Sequence, residues 1–207
     1  MVIFVVMSLL GIPTANFLPD AIKQLDYNLF SKMNGQWHTP FFDVFLPFIR
    51  EPFIWLPFYF FLILFTVFNF KEKGFYWVLF FILNAMLSDF VSSNLIKGNF
   101  IRLRPCRDPL LIDHVRFLVS YCPVSSSFTS SHAANHFAAA MFIFTTFRKA
   151  ISPKWAYIFI WAFAISYAQV YVGVHFPFDI FCGAIVGVIL GYIPATIYNK
   201  KIGLLAN

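Results

Sequence analysis

Residues 155–198 read WAYIFIWAFAISYAQVYVGVHFPFDIFCGAIVGVILGYIPATIY. The runs 155–172 and 178–198 are apolar, and each has the length of a helix that crosses a bilayer, roughly 20 residues. Only residues 173–177 part them, so the two helices run antiparallel and their link lies at one membrane face. The second run carries Gly183, Gly187 and Gly191 at four-residue spacing, a stripe that allows a neighbouring helix to approach closely. It also opens with Asp179, four residues after His175, at a depth where ionisable groups are costly and few.

Working outward, the runs 53–70, 75–96 and 129–147 have the same character. Residues 1–17 are apolar too, but Gly11 and Pro13 interrupt them and no Lys or Arg precedes them, which argues against a cleaved signal peptide. The expectation is an all-α, polytopic transmembrane bundle of five or six spans, forming a single domain over residues 1–207, with the mixed stretch 18–52 lying at the interface. Composition agrees: 60% of residues are hydrophobic and only 12% are charged, about half the usual 25% of a soluble domain. A cytosolic globule and a disordered chain are both excluded.

The net charge of +6 does not point to nucleic acid, because most cations sit in short segments between apolar runs. Lys71, Lys73, Arg148, Lys149, Lys154, Lys200 and Lys201 fall in segments 71–74, 148–154 and 199–207, which the positive-inside rule assigns to the cytoplasm. Segments 97–128 and 173–177 then share the outer face. Cys106 and Cys122 lie there, either paired as a loop staple or as two thiols. The three cysteines show no CxxC pair and no zinc-finger spacing, so no structural metal is expected. On the span 75–96, Asn84, Ser88 and Ser92 recur every four residues, with Asp89 and Ser93 beside them. This polar stripe should face the bundle interior, with Asp89 either functional or bonded to neighbouring hydroxyls.

Three polar clusters meet at the outer face. Lys97 ends one span and is followed by Arg104-Pro105; Ser130, Ser131 and His132 begin another, where a capped helix start favours anions; Gln169, His175 and Asp179 mark the third. If the chain turns helical after His175, Asp179 accepts the Nδ1 proton and leaves Nε2 as a nucleophile.

Lys97 with six residues to Arg104-Pro105, Ser130-x-His132, and His175 with three residues to Asp179 together resemble the three-part signature of the type 2 phosphatidic acid phosphatase superfamily, over segments 97–105, 128–132 and 169–179. The resemblance implies that His175 attacks phosphorus to form a phosphohistidine, that Asp179 orients it, and that His132 protonates the leaving oxygen and then activates water. It implies further that Lys97, Arg104, Ser130 and the backbone around Ser131 hold the phosphoryl oxygens, without metal or cofactor. Phosphoryl transfer asks for this combination of in-line positioning and cationic stabilisation. The family pattern Pro-Ser-Gly-His is altered at Thr129 and Ser131, both compatible with a helix start. Its Ser-Arg pair in the third motif is replaced by Ala168 and Gln169, so one charged phosphate contact is lost. Arg102, Arg107 and Arg116 are candidates to restore it, Arg107 and Arg116 before Arg102; each has the alternative of binding lipid head groups. His136, four residues after His132, shares its helix face, but the segment lacks the glutamate of a zinc-protease motif.

The resulting expectation is a metal-independent membrane lipid phosphatase with its site on the outer face of the plasma (inner) membrane, acting on a lipid phosphomonoester or diphosphate. Polyprenyl (undecaprenyl) diphosphate ranks first, because short loops leave little apparatus for a saccharide head; lipid A or phosphatidylglycerophosphate follows. A phosphatase-like lipid binder or transporter is the alternative class. The lipid bilayer is the expected partner and nucleic acid is not; the oligomeric state stays open.

Overall fold

The computed structural model describes residues 17–204. Their regular structure is helical throughout. Helix α1 spans Asp20–Phe30 and runs on into a wider π-turn at Ser31–Gln36; α2 spans Pro40–Ile49, α3 Leu56–Asp89, α4 Ser131–Ala150, α5 Ile158–Tyr171 and α6 Pro177–Lys201. The mixed stretch 18–52 of the sequence is thus largely α1 and α2. The question of a span at residues 1–17 lies, save for Phe17, outside the described residues.

Local chemistry sets the helix starts. Thr39 Oγ1 accepts from Phe42 N at 3.2 Å, with Pro40 as the first residue of α2. Ser130 Oγ accepts from Ala133 N at 3.3 Å to cap α4. At α6, Pro177 takes the first position and Asp179 Oδ2 reaches back to Phe176 N at 2.9 Å. The carboxylate that marks the site in the sequence therefore also starts the helix that carries it.

Helix α3 is two arms. Lys71 has φ 51° and ψ −123°, which breaks the helix. Past it the chain folds back so tightly that a Cβ on Gly74 would stand 2.0 Å from the Thr66 carbonyl oxygen. The cationic segment 71–74 is this turn, and the second arm continues through Phe90–Ile96 in π geometry to Lys97–Asn99. The run Pro52–Asn99 and α6 have the length and hydropathy of membrane-crossing helices.

Helix α4 lies at the centre, packed against α6, α5 and the second arm of α3. The glycine stripe is the α4–α6 seam: a Cβ on Gly183, Gly187 or Gly191 would lie 2.6, 2.3 and 2.3 Å from the carbonyl oxygens of Ser130, Ala134 and Ala138. At the far end from the site, Trp77 stacks between Phe81 and Phe147, each at 5.1 Å, and its indole N–H donates to Thr146 Oγ1 at 2.8 Å. Outward, Phe60, Phe68, Ile160, Phe163, Phe181 and Ile197 are exposed, an apolar girdle suited to lipid and costly in water.

Candidate active site

The link between α5 and α6 turns at Gly173, whose φ of 85° suits glycine, and presents His175. Arg104 Nη1 lies 3.1 Å from His175 Nε2. A guanidinium can only donate, so Nε2 is the unprotonated nitrogen and the ring proton sits on Nδ1. Nδ1 faces Ser127 Oγ at 3.3 Å and Asp179 Oδ2 at 3.5 Å, while Ser127 Oγ donates to Asp179 Oδ2 at 2.5 Å. Serine and carboxylate together fix the tautomer that leaves Nε2 with its lone pair. Burial pulls the His175 pKa down to about 4, against the pull of Asp179, so the ring is neutral at physiological pH.

Asp179 is itself anchored. Its Oδ1 pairs with Arg102 Nη1 at 2.6 Å, and Arg102 Nη2 pairs with Asp26 Oδ2 at 2.6 Å. Asp26 Oδ1 accepts from Phe178 N at 2.8 Å, and the guanidinium of Arg102 sits 4.1 Å from the Phe176 ring centre. Burial opposes the charge on Arg102, but the two carboxylates outweigh it and raise its pKa. Arg102 was a candidate phosphate contact; it is instead the brace behind Asp179.

Arg104 is held by Ser125 O at 3.0 Å, Val174 O at 3.0 Å and Ser125 Oγ at 3.1 Å, which aims the guanidinium at His175. Burial lowers its pKa to about 10, leaving it charged at neutral pH.

A cavity of about 450 Å³ opens before Nε2. Lys97, Arg104, Ser131, His132, Gln169 and His175 line it, so six of the eight expected site residues share one space. Asp179 is not on the wall and stands behind His175, on its Nδ1 side. Ser130 is fully buried as the α4 cap and is not among the residues of the cavity wall. Ser131 Oγ bonds to Ser93 Oγ at 2.9 Å.

Neither of the favoured compensating arginines reaches the cavity. Arg116 forks onto both oxygens of Asp43 at 2.7 Å, and Arg107 donates to Cys122 O at 3.3 Å. Asn34 donates to Arg116 O and Tyr171 O, which ties the outer loop to the end of α5. Motif reasoning missed Ser127 and Arg50. Ser127 stands three residues before Ser130 in a serine-rich loop, where nothing in the sequence singles it out; Arg50 belongs to a segment distant from every motif. His136 Nδ1–H donates to His132 O at 2.8 Å and its ring lies tilted 4.9 Å from that of Trp161, and among the described residues no three His, Cys, Asp or Glu side chains gather as metal ligands.

The family model of the PAP2 superfamily matches residues 75–202, more than half of the chain. The chain belongs to the PAP2 superfamily. Among curated PAP2 relatives, the lipid A 4'-phosphatase of Bacteroides thetaiotaomicron is 32% identical over 183 residues, covering 86% of this chain and 79% of its own. The undecaprenyl-diphosphatase of Sulfolobus acidocaldarius is 28% identical over 182 residues, 86% of this chain and 76% of that one. The crystal structure of a transmembrane PAP2-type phosphatidylglycerolphosphate phosphatase from Bacillus subtilis superposes with a TM-score of 0.70 over 97% of this chain and 94% of that one, at 19% identity, which shows the fold. This PAP2 protein is accordingly a membrane lipid phosphatase.

Proposed function

We propose that the protein removes the phosphate monoester from lipid A, or from a closely similar phosphorylated saccharide lipid, by a phosphohistidine mechanism. His175 Nε2 attacks phosphorus while the bond from phosphorus to the sugar oxygen breaks, and His132 gives that oxygen its proton. Water then transfers a proton to His132 and attacks the phosphohistidine, the N–P bond breaks, and inorganic phosphate leaves. Lys97 and Arg104 stabilise the charge on the equatorial oxygens, and Asp179 with Ser127 holds the ring and its developing positive charge. No step draws on a metal.

The observation that carries the substrate choice is the second wall of the cavity. Asp89, Ser93, Ser131 and Asn135 form one polar surface of the lining: Asp89 Oδ1 accepts from Ser93 Oγ at 3.2 Å and from Asn135 Nδ2 at 3.1 Å, Ser93 Oγ meets Ser131 Oγ at 2.9 Å, and Asn135 Oδ1 has no partner. A bare prenyl diphosphate offers nothing to such a surface beside the phosphates. A saccharide offers hydroxyl and amide groups. The short loops that favoured polyprenyl diphosphate overlooked this wall, since its residues lie within spans. The 32% identity to a lipid A 4'-phosphatase supports the same ranking over the 28% to an undecaprenyl-diphosphatase.

The site belongs, on this reading, to a single domain of five or six spans with the cavity on the periplasmic face of the inner membrane. The disulfide between Cys106 and Cys122, beside the cavity, supports that side, because thiols stay reduced in the cytoplasm. Phosphate release by the detergent-purified protein from lipid A, phosphatidylglycerophosphate and undecaprenyl diphosphate, with and without EDTA, tests the proposal. EDTA-resistant release fastest from lipid A is expected. Fastest release from undecaprenyl diphosphate would restore the first expectation, and lipid binding without release would favour a binder.

A further inference from the structure

Arg50 caps the C-terminal end of α2, its N–H donating to Leu46 O at 3.3 Å, and the next turn closes with Trp55 Nε1 on Ile49 O at 2.7 Å. Leu46 and Ile49 pack on Ala168 and Tyr171 of α5, residues that flank Gln169. The end of α2 is therefore fixed against the end of α5, and the Arg50 side chain joins the wall of the cavity that holds His132, His175 and Gln169.

Two donors on this wall have no acceptor. Arg50 Nε is buried without a hydrogen-bond partner, and so is the Gln169 Nε2 amide, on a side chain only 1% exposed. The ion pair of Arg50 is a long one, Nη1 to Glu51 at 3.6 Å, with a carboxylate that is 55% exposed and well solvated. Unpaired buried donors are costly, and a buried charge more so, unless a ligand accepts from them. An anion in the cavity would do so. We propose that Arg50 is a phosphate-binding residue that acts with Gln169, the arginine supplying the charge and the amide a second donor to the phosphoryl oxygens. The inference rests on the phosphatase reading of the same cavity. Arg102, Arg107 and Arg116 are each engaged elsewhere, which leaves Arg50 as the arginine besides Arg104 on this wall. Burial lowers the pKa of Arg50, and its charge adds to the lowering at Arg104; an anion between the two would relieve both.

The test uses binding, which does not require turnover. Affinity of the purified full-length protein for inorganic phosphate and for orthovanadate is measured by calorimetry, with thermal unfolding as the check on folding. Arg50→Gln should weaken both ligands about tenfold to a hundredfold, the scale of one lost charged hydrogen-bonding contact. Arg50→Gln combined with Gln169→Arg should recover most of that loss, because the charge returns to the same wall. If Arg50→Gln does not fold, Arg50→Lys carries the test, with a several-fold weakening expected from loss of the planar fork. Unchanged affinity in the folded variant, or no recovery in the double variant, overturns the role of Arg50. A wild-type protein that binds neither anion overturns the phosphatase reading instead.

Discussion

His175 depends on two hydroxyl and carboxylate contacts that a sequence motif cannot display together. Ser127 is buried between the imidazole and Asp179, so Ser127→Ala leaves Nδ1 with only the 3.5 Å contact to Asp179. Loss of a hydrogen bond to a charged group is worth about 1.5–3 kcal/mol, and the expected result is a fall in kcat of about tenfold to a hundredfold with KM nearly unchanged. Steady-state kinetics in detergent checks this split. The pH profile follows from the same site. With its pKa near 4, the His175 ring is neutral over the working range and gains a proton only as pH falls toward that value. Accordingly, if His175 acts as the neutral nucleophile, kcat/KM should hold through neutral pH and fall on the acid side as pH drops toward about 4; an acid limb well above that value would assign it to another group. At this scale the spacing of the motifs picked out Lys97, Arg104, His132 and His175, which the fold brings to one cavity. It did not display Arg102 as the brace, because Asp26 and Asp179 lie on separate helices far apart in the chain and only folding brings both to one guanidinium.

Among the elements, the seam between α4 and α6 and the turn within α3 decide how closely the helices approach. Gly187 faces the Ala134 carbonyl so closely that Gly187→Ala must push the helices apart, at a cost of about 1–3 kcal/mol. Because Asp179 lies in the first turn of α6 and His132 in the first turn of α4, the same substitution should lower activity as well as the midpoint of thermal unfolding. Lys71 shows the converse. Its positive φ is unfavourable for a side chain, so Lys71→Gly should raise stability by about 1 kcal/mol with activity retained, since the turn lies at the end of the bundle remote from the cavity. The helices were legible because apolar runs of spanning length are hard to mistake. The helical order within 18–52 was less legible, because the break between α1 and α2 and the docking of Leu46 and Ile49 on α5 are set by contacts between segments far apart in the chain.

Taken whole, the molecule joins a helical bundle with an apolar surface to a braced rim around the cavity. The disulfide from Cys106 to Cys122 closes the loop that adjoins Arg104 on one side and Tyr121 and Pro123 of the cavity wall on the other. A loop of this length contributes about 3 kcal/mol when closed, so reduction should lower the unfolding midpoint and weaken phosphate binding together. A thermal scan with and without a membrane-permeant reductant measures the first, and calorimetry the second. The sequence left open whether these cysteines pair, since two thiols in one loop need a spatial approach that spacing alone does not set; the Cα atoms stand 6.2 Å apart. It also left the compensating charge among the loop arginines, because Arg50 enters the cavity from a helix that no motif includes. The central claim is that turnover passes through a covalent bond to His175. Rapid acid-free quenching of the protein with lipid A carrying radiolabelled phosphate tests it most directly. The account predicts a base-stable, acid-labile label on His175 that forms and decays at the rate of turnover and is absent from His175→Ala; phosphate release without such a label, or from His175→Ala at the wild-type rate, would contradict it.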